Sequence, residues 1–215
     1  MDPLPLNRFS DTAAMAEAMA QRAAVLLTEA VEARGQAVLA LSGGSTPKLY
    51  LPLLAGLFSD WGKLTVILVD DRWVPADHPD SNEGLVRQFL PQAKLLPMVT
   101  ASAQPEAGPA AALLAALPEA WDVALLGMGE DGHIASLFPG TGADQDPAPY
   151  CLTVAQAPKH PRISLSAAAL GRFRHLLLGI TGSAKLDALH RAQAEGLPVR
   201  LLFSLGDRVE GFYAA

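Results

Sequence analysis

The sequence lacks the features of secreted, membrane and nucleic-acid-binding proteins. Its single cysteine, Cys151, excludes an internal disulfide and fits a reducing compartment. No apolar run approaches the roughly 20 residues that cross a bilayer, and the first residues lack the basic and apolar regions of a signal peptide. The net charge is -6 and no block of Lys or Arg occurs. We therefore expect a cytoplasmic protein that binds neither nucleic acid nor a membrane.

The length and periodicity of the chain predict one α/β domain. With 215 residues, 50% of them hydrophobic, residues 1–215 are sufficient for a single domain with a substantial core. Helical patterns occur at 12–34, 47–57, 82–90, 109–117, 167–173 and 183–194. Short apolar runs typical of buried strands occur at 37–41, 64–69, 121–126, 151–155, 163–165, 176–180 and 199–203. Residues 139–149 have the composition of an irregular surface loop. The alternation predicts a mainly parallel sheet between helix layers, with ligands bound beyond the carboxyl ends of its strands.

The loop after strand 37–41 has the composition of an anion-binding loop. It reads Ser42-Gly43-Gly44-Ser45-Thr46-Pro47 and leads directly into a predicted helix. Glycines let the backbone approach a ligand, hydroxyls donate hydrogen bonds, and free N–H groups at a helix start favour an anion. The loop matches no nucleotide-binding motif. We interpret residues 42–45 as a phosphate-binding loop, although a tight turn without a ligand would also account for the glycines.

The next strand ends in a polar loop that contains Arg72. A guanidinium binds a carboxylate, a phosphate or a developing oxyanion through two parallel hydrogen bonds. The other ionisable groups of this loop are Asp70, Asp71, Asp77, His78 and Asp80. These groups could hold a divalent metal, but their spacing follows no regular ligand pattern, so we predict no metal site. A solvated acidic loop is the remaining interpretation.

A glycine-rich loop after strand 121–126 places an acid close to a histidine. It reads Gly127-Met128-Gly129-Glu130-Asp131-Gly132-His133. The imidazole of His133 can take a proton near neutral pH, and the carboxylate of Asp131 can fix its tautomer. We interpret His133 as a general base. A strand-to-helix turn with an incidental histidine is the structural alternative.

Three cations late in the chain lie at the ends of predicted loops. Lys159 and Arg162 precede strand 163–165, and Lys185 lies in the first turn of helix 183–194, where the helix dipole opposes its charge. An anionic ligand would explain these placements together. Ordinary surface ion pairs would explain each of them singly.

These segments together resemble the 6-phosphogluconolactonase family. The resemblance rests on three motifs in order, which are Ser42-Gly43-Gly44-Ser45-Thr46-Pro47, Val69-Asp70-Asp71-Arg72-Trp73-Val74-Pro75 with Asp77-His78-Pro79-Asp80-Ser81-Asn82, and Leu126-Gly127-Met128-Gly129-Glu130-Asp131-Gly132-His133-Ile134-Ala135-Ser136-Leu137-Phe138-Pro139. It spans about residues 9–203. The resemblance implies a Rossmann-like sheet, shared with glucosamine-6-phosphate deaminase and ribose-5-phosphate isomerase. It also implies hydrolysis of the small-molecule substrate 6-phosphogluconolactone in the pentose phosphate pathway, without a metal or another cofactor.

The resemblance also implies roles for individual residues. The family's catalytic histidine corresponds to His133 and its active-site arginine to Arg72. Its phosphate-binding residues correspond to Lys159 and Arg162, close to the loop 42–45, and Lys185 matches the lysine of a Thr-Gly-x-x-Lys segment. The segment 158–162 is shorter here than in the family, which leaves the placing of Lys159 open.

On this interpretation, His133 deprotonates a water that attacks the lactone carbonyl, and Arg72 with backbone amides near Gly44 stabilises the oxyanion. Asp70 is expected to contact the substrate, whereas an isomerase or deaminase on the same fold would use it as the base. Deaminases carry an Asn-Glu pair near the position of Leu137-Phe138, so we favour the lactonase. A sugar-phosphate sensor would need a DNA-binding segment, for which 215 residues leave no room. Sequence patterns do not determine the oligomeric state, and we favour a monomer.

Overall fold

The centre of the fold is a seven-stranded sheet. The computed structural model describes residues 2–215. Side by side, the strands of the sheet are β1 (Leu6–Phe9), β10 (Val209–Ala214), β9 (Phe173–Thr181), β6 (Trp121–Gly127), β2 (Ala37–Leu41), β3 (Leu64–Leu68) and β5 (Lys94–Leu95). Every neighbouring pair runs parallel. The prediction of a mainly parallel sheet is confirmed.

Helices connect these strands and cover the sheet. They are α1 (Thr12–Arg34), α2 (Pro47–Leu57), α3 (Asn82–Phe89), α4 (Gly108–Ala115), α5 (Ala167–Leu170) and α6 (Ser183–Glu195). The long helix α1 begins where the Asp11 side chain accepts a bond from the Ala14 amide, and it ends at Gly35, whose φ of 74° suits a residue without a Cβ. It packs against β6, β9 and β10. Within residues 2–215, no helix has both the length and the apolar character needed to span a bilayer.

The central strands are buried on both faces, as the sequence predicts. Every residue of β2 is buried, and so is every residue of β6 before Gly127. Because both faces of these strands are covered, their side chains are continuously apolar except for Asp122. Its buried carboxylate accepts bonds from the Arg34 guanidinium, at 2.6 Å, and from the Val38 amide, at 2.7 Å. The core therefore holds the strand ends in fixed positions.

A second, smaller sheet lies outside the parallel one. It is antiparallel and consists of β4 (Asp70–Arg72), β8 (Arg162–Leu165) and β7 (Cys151–Val154), in that order. Residues 151–155 and 163–165 are therefore strands, as predicted, but the expectation that they join the parallel sheet is wrong. The register places Arg72 opposite Arg162. Two cations that are 90 positions apart in the sequence thus become neighbours.

Two other predicted elements need correction. Residues 199–203 are not a strand but lie in the 3₁₀-helical segment Pro198–Arg208, which is kinked at Gly206, and the last strand of the chain is β10. In the 3₁₀-helical segment, the buried residues Val199 and Leu202 are three positions apart, which is the period of a 3₁₀ helix. The predicted helix 167–173 ends after Leu170 because Phe173 already pairs with Trp121 in the parallel sheet. Short 3₁₀ turns also occur at Trp61–Lys63 and Ala143–Gln145, the second inside the irregular loop 139–149.

Candidate active site

A pocket of about 370 Å³ lies at the carboxyl ends of the parallel strands. The loops after β2 and β6, the start of α6 and the edge of the small sheet all contribute to its wall. The predicted site residues that line it are Ser42, Gly43, Gly44, Ser45, Asp70, Arg72, His133, Arg162 and Lys185. Asp131 and Lys159 do not line it. The structure thus brings residues from five distant segments of the sequence into one cavity.

His133 is held by a tight turn after β6. The Gly132 amide donates to the Gly129 carbonyl at 3.0 Å, and the Gly129 amide donates to the His133 carbonyl at 3.0 Å. A side chain at position 129 would overlap the imidazole, so this close approach requires glycine. The ring also packs against Phe138, with 4.6 Å between the ring centroids. These contacts fix the imidazole at the pocket wall.

Asp131 contacts His133 from outside the pocket. Its Oδ1 lies 2.6 Å from Nδ1 of His133, and it also accepts a bond from the His133 amide at 3.2 Å. A carboxylate in this position favours the tautomer with the proton on Nδ1. The other ring nitrogen, Nε2, then carries a lone pair. This geometry suits a group that accepts a proton.

Arg72 and Arg162 bring two guanidinium groups to the pocket. Nη1 of Arg72 donates to the Asp80 carbonyl at 2.7 Å and to Oδ1 of Asn82 at 3.2 Å. Nη2 of Arg162 donates to the Pro158 carbonyl at 3.3 Å. The Nε atoms of both arginines are buried and have no hydrogen-bond partner among residues 2–215. Burial lowers the pKa of Arg162, and the adjacent charge of Arg72 lowers it further. Paired cations with unused donors are suited to an anion.

Asp70 is buried and already hydrogen-bonded. Its Oδ2 accepts a bond from the Ser136 hydroxyl at 2.5 Å, and its backbone carbonyl accepts one from the Asn82 side-chain amide at 2.8 Å. The carboxylate lines the pocket, but one oxygen is committed to Ser136. A role in holding the site geometry accounts for both bonds.

Asn82 is a site residue that the sequence analysis left without a role. Its side chain contacts Arg72 and Asp70 and lines the pocket. It also lies so close to Gly43 that any side chain at position 43 would overlap it. The signal was present, because Asn82 ends the second motif. Its contacts depend on a tertiary approach that sequence spacing does not show.

Asp71 supports the site from behind. It accepts bonds from the amides of Arg72, Asn82 and Glu83, at 2.7, 2.7 and 2.9 Å, and so fixes the start of α3. Burial raises the pKa of Asp71 to about 6, although these amides oppose the shift. The residue is buried below the pocket surface and does not line it. Its effect on the site is therefore through the position of Asn82.

The two candidate lysines lie in different places. Lys185 lines the pocket from the first turn of α6. Lys159 instead forms an ion pair with the Asp80 carboxylate, and its side chain is 67% exposed. The predicted role of Lys159 in phosphate binding therefore has no support from its position, whereas the position of Lys185 fits that role.

The cysteine does not belong to this site. Cys151 is buried in β7, and burial raises the pKa of its thiol to about 11. A thiol with so high a pKa is a poor nucleophile at neutral pH. The pocket groups that can act on a substrate are the His133 imidazole, the Asp70 carboxylate, the two guanidiniums, Lys185 and the loop after β2.

Fold and pocket together define an α/β protein with a pocket that contains three cationic side chains, at the carboxyl edge of a parallel sheet. A family model described as glucosamine-6-phosphate isomerases/6-phosphogluconolactonase matches residues 10–208. The chain belongs to this family.

Individual relatives agree with this assignment. A protein of Rhizobium meliloti named 6-phosphogluconolactonase is 37% identical over 214 residues, which cover 92% of each chain. The crystal structure of a 6-phosphogluconolactonase from Shewanella baltica is 35% identical, covers 99% of this chain and 98% of its own, and superposes with a TM-score of 0.90. A monomeric glucosamine-6-phosphate deaminase shares the fold, with a TM-score of 0.80 at 19% identity over 98% of this chain and 97% of its own.

Proposed function

We propose that this chain hydrolyses 6-phospho-D-glucono-1,5-lactone to 6-phospho-D-gluconate, a step of the oxidative pentose phosphate pathway. The observation that carries the proposal is the His133–Asp131 pair at the wall of a pocket that also contains Arg72 and Arg162. The relatives named 6-phosphogluconolactonase, which match along nearly the whole chain, supply the substrate. We further propose that residues 1–215 form one catalytic domain, that it acts as a monomer, and that it works in the cytoplasm.

In the proposed mechanism His133 acts as the general base. Its Nε2 takes a proton from a water whose oxygen forms a bond with the lactone carbonyl carbon. The tetrahedral intermediate carries a negative oxygen, which Arg72 and backbone amides near Gly44 stabilise. The bond between the carbonyl carbon and the ring oxygen then breaks, and protonated His133 returns its proton to that oxygen. Asp131 holds the imidazole in one tautomer throughout.

The phosphate is proposed to bind at the cationic side of the pocket. Arg162 and Lys185 supply the charge, and residues 42–45 supply amides and hydroxyls. Because the phosphate is remote from the reacting carbonyl, its binding orients the lactone for attack. Lys159 contributes only if its ion pair with Asp80 is broken, so we assign it no direct contact.

The test is acid release from freshly prepared 6-phosphogluconolactone, measured in a pH-stat against the spontaneous rate. The expected result is rapid release by the parent protein and a rate close to the spontaneous one with the His133→Asn variant. The family also contains isomerases and deaminases, so glucosamine-6-phosphate serves as the second substrate, with ammonia release as its measure. Ammonia release without lactone hydrolysis would refute the proposal and favour Asp70 as the base.

A further inference from the structure

Three potential metal ligands meet beside the pocket. They are His78, Asp80 and His160, and one potential ligand atom of each lies within 4.8 Å of the other two. Oδ2 of Asp80 is 2.9 Å from Nε2 of His160 and 3.9 Å from Nδ1 of His78. The two imidazole rings are in an edge-to-face arrangement, with 5.4 Å between centroids. All three side chains are partly exposed, so an ion could reach them from solvent.

The state of these groups suits a cation. Nδ1 of His78 accepts a 3.1 Å bond from the Asp80 amide, which means that it carries a lone pair and no proton. A metal would replace this bond. The Asp80 carboxylate already attracts positive charge, because its Oδ2 contacts the ammonium group of Lys159 and lies 2.9 Å from Nε2 of His160. Two imidazoles and one carboxylate at this spacing form a common ligand set for Zn²⁺, with water in the fourth position.

We propose that His78, Asp80 and His160 bind a divalent transition-metal ion of the zinc type. His78 and Asp80 belong to the connection between β4 and α3, whereas His160 belongs to the connection between β7 and β8. The ion therefore joins two loops, one of which also holds Arg72 through the Asp80 carbonyl. The site contains no residue that contacts the proposed substrate, so its existence is independent of the proposed lactonase activity.

Lys159 competes with the metal. Its ammonium group occupies the same Asp80 oxygen that the ion would take, and its backbone has a φ of 67°, which is unusual for a residue with a side chain. The metal must displace this ammonium. The Lys159→Met variant is therefore expected to bind the ion more tightly, by about fivefold or more, since one unit charge near 4 Å in water corresponds to about 1 kcal/mol.

The experiment is calorimetric titration of the EDTA-treated and desalted protein with Zn²⁺ at neutral pH, together with Co²⁺ absorption as a report on coordination. The expected result is one ion per chain, with a rise in Tm of roughly 5–10 °C at a free Zn²⁺ concentration about 100 times the dissociation constant. Loss of one ligand, in His160→Asn or His78→Asn, is expected to weaken binding by at least about 10- to 100-fold.

His190 supplies the matched control. It is another exposed histidine paired with one aspartate, with Nε2 lying 2.8 Å from Oδ1 of Asp2. The His190→Asn variant should bind Zn²⁺ like the parent protein. The proposal is overturned if the parent binds no stoichiometric Zn²⁺, or if the folded His160→Asn and His78→Asn variants bind it as tightly as the parent does.

Discussion

Replacing Arg162 with methionine should separate phosphate binding from stability. Arg162 is 8% exposed, and within residues 2–215 its side chain makes one hydrogen bond, to the Pro158 carbonyl, which is long at 3.3 Å. Burial and the adjacent Arg72 disfavour its charged form, and the carboxylates of nearby aspartates offset this only in part. The protein without substrate therefore holds this cation in an unfavourable environment. A phosphate group would make the environment favourable.

The magnitudes follow from these contacts. A charge-assisted hydrogen bond to phosphate contributes about 1.5–3 kcal/mol, so Arg162→Met should weaken 6-phosphogluconate binding by about 10- to 150-fold. Methionine fills the same space without a buried charge, and exchanging a buried charge for an apolar group is often neutral or stabilising. We therefore expect the free energy of unfolding to fall by less than about 1 kcal/mol, or to rise.

Two assays measure these effects. Calorimetry at matched salt gives the affinity for 6-phosphogluconate, and urea unfolding gives the stability. Lys159→Met removes one positive charge outside the pocket and is the matched control, for which we expect little loss of affinity. Unchanged affinity in Arg162→Met would refute the phosphate role. Equal losses of kcat/KM on phosphorylated and unphosphorylated lactones would instead place Arg162 at the carbonyl or in folding.

Three further predictions concern the base, the metal and the pH dependence of stability. In a folded His133→Asn variant, kcat should fall by about 10²- to 10⁴-fold because asparagine accepts no proton, and near-normal turnover would exclude His133 as the base. Activity should survive exhaustive EDTA treatment, since no reacting group proposed here is a metal ligand; recovery only on adding a divalent ion would contradict this. The pKa of Asp71 is raised to about 6 in the folded protein, so its ionised carboxylate disfavours folding. The protonated form therefore contributes to stability, and this contribution is full below about pH 4 and is lost as the pH rises through 6. Relative to Asp71→Asn, the parent should lose about 2 kcal/mol of unfolding free energy between pH 4 and pH 6, and urea titrations that stay parallel would disprove it.

The elements that sequence patterns predict best are those with local causes. The helix α1 has an aspartate cap, regular apolar spacing and a terminal glycine, and its predicted bounds agree with the structure. The strand β2 is a continuous apolar run between turn residues. By contrast, Glu210 and Gly211 interrupt the apolar pattern of β10; it is a strand because it pairs with β1 and β9 on either side. Such pairing depends on tertiary structure and leaves little local signal.

The same distinction applies to the site. The positions of His133 and Lys185 follow from their place after a parallel strand, so their presence in the pocket was predictable. The ion pair of Lys159 with Asp80 was not predictable, because the two residues are remote in sequence and only the fold brings them together. The pairing of Arg72 with Arg162 depends on the register of a second sheet that apolar patterns did not distinguish from the first.

His133 and the two pocket arginines are attached to different sheets, so their relative position needs its own support. His133 follows a strand of the parallel sheet, whereas Arg72 and Arg162 belong to the antiparallel one. Ser136, three residues after His133, joins the two sheets. Its hydroxyl donates to Asp70 at 2.5 Å, and its amide donates to the Ser164 hydroxyl at 3.1 Å. Both serines are fully buried, where breaking such bonds leaves unsatisfied polar groups and costs about 1–3 kcal/mol each. The position of His133 relative to Arg72 and Arg162 is therefore supported by buried hydrogen bonds that are present without a substrate.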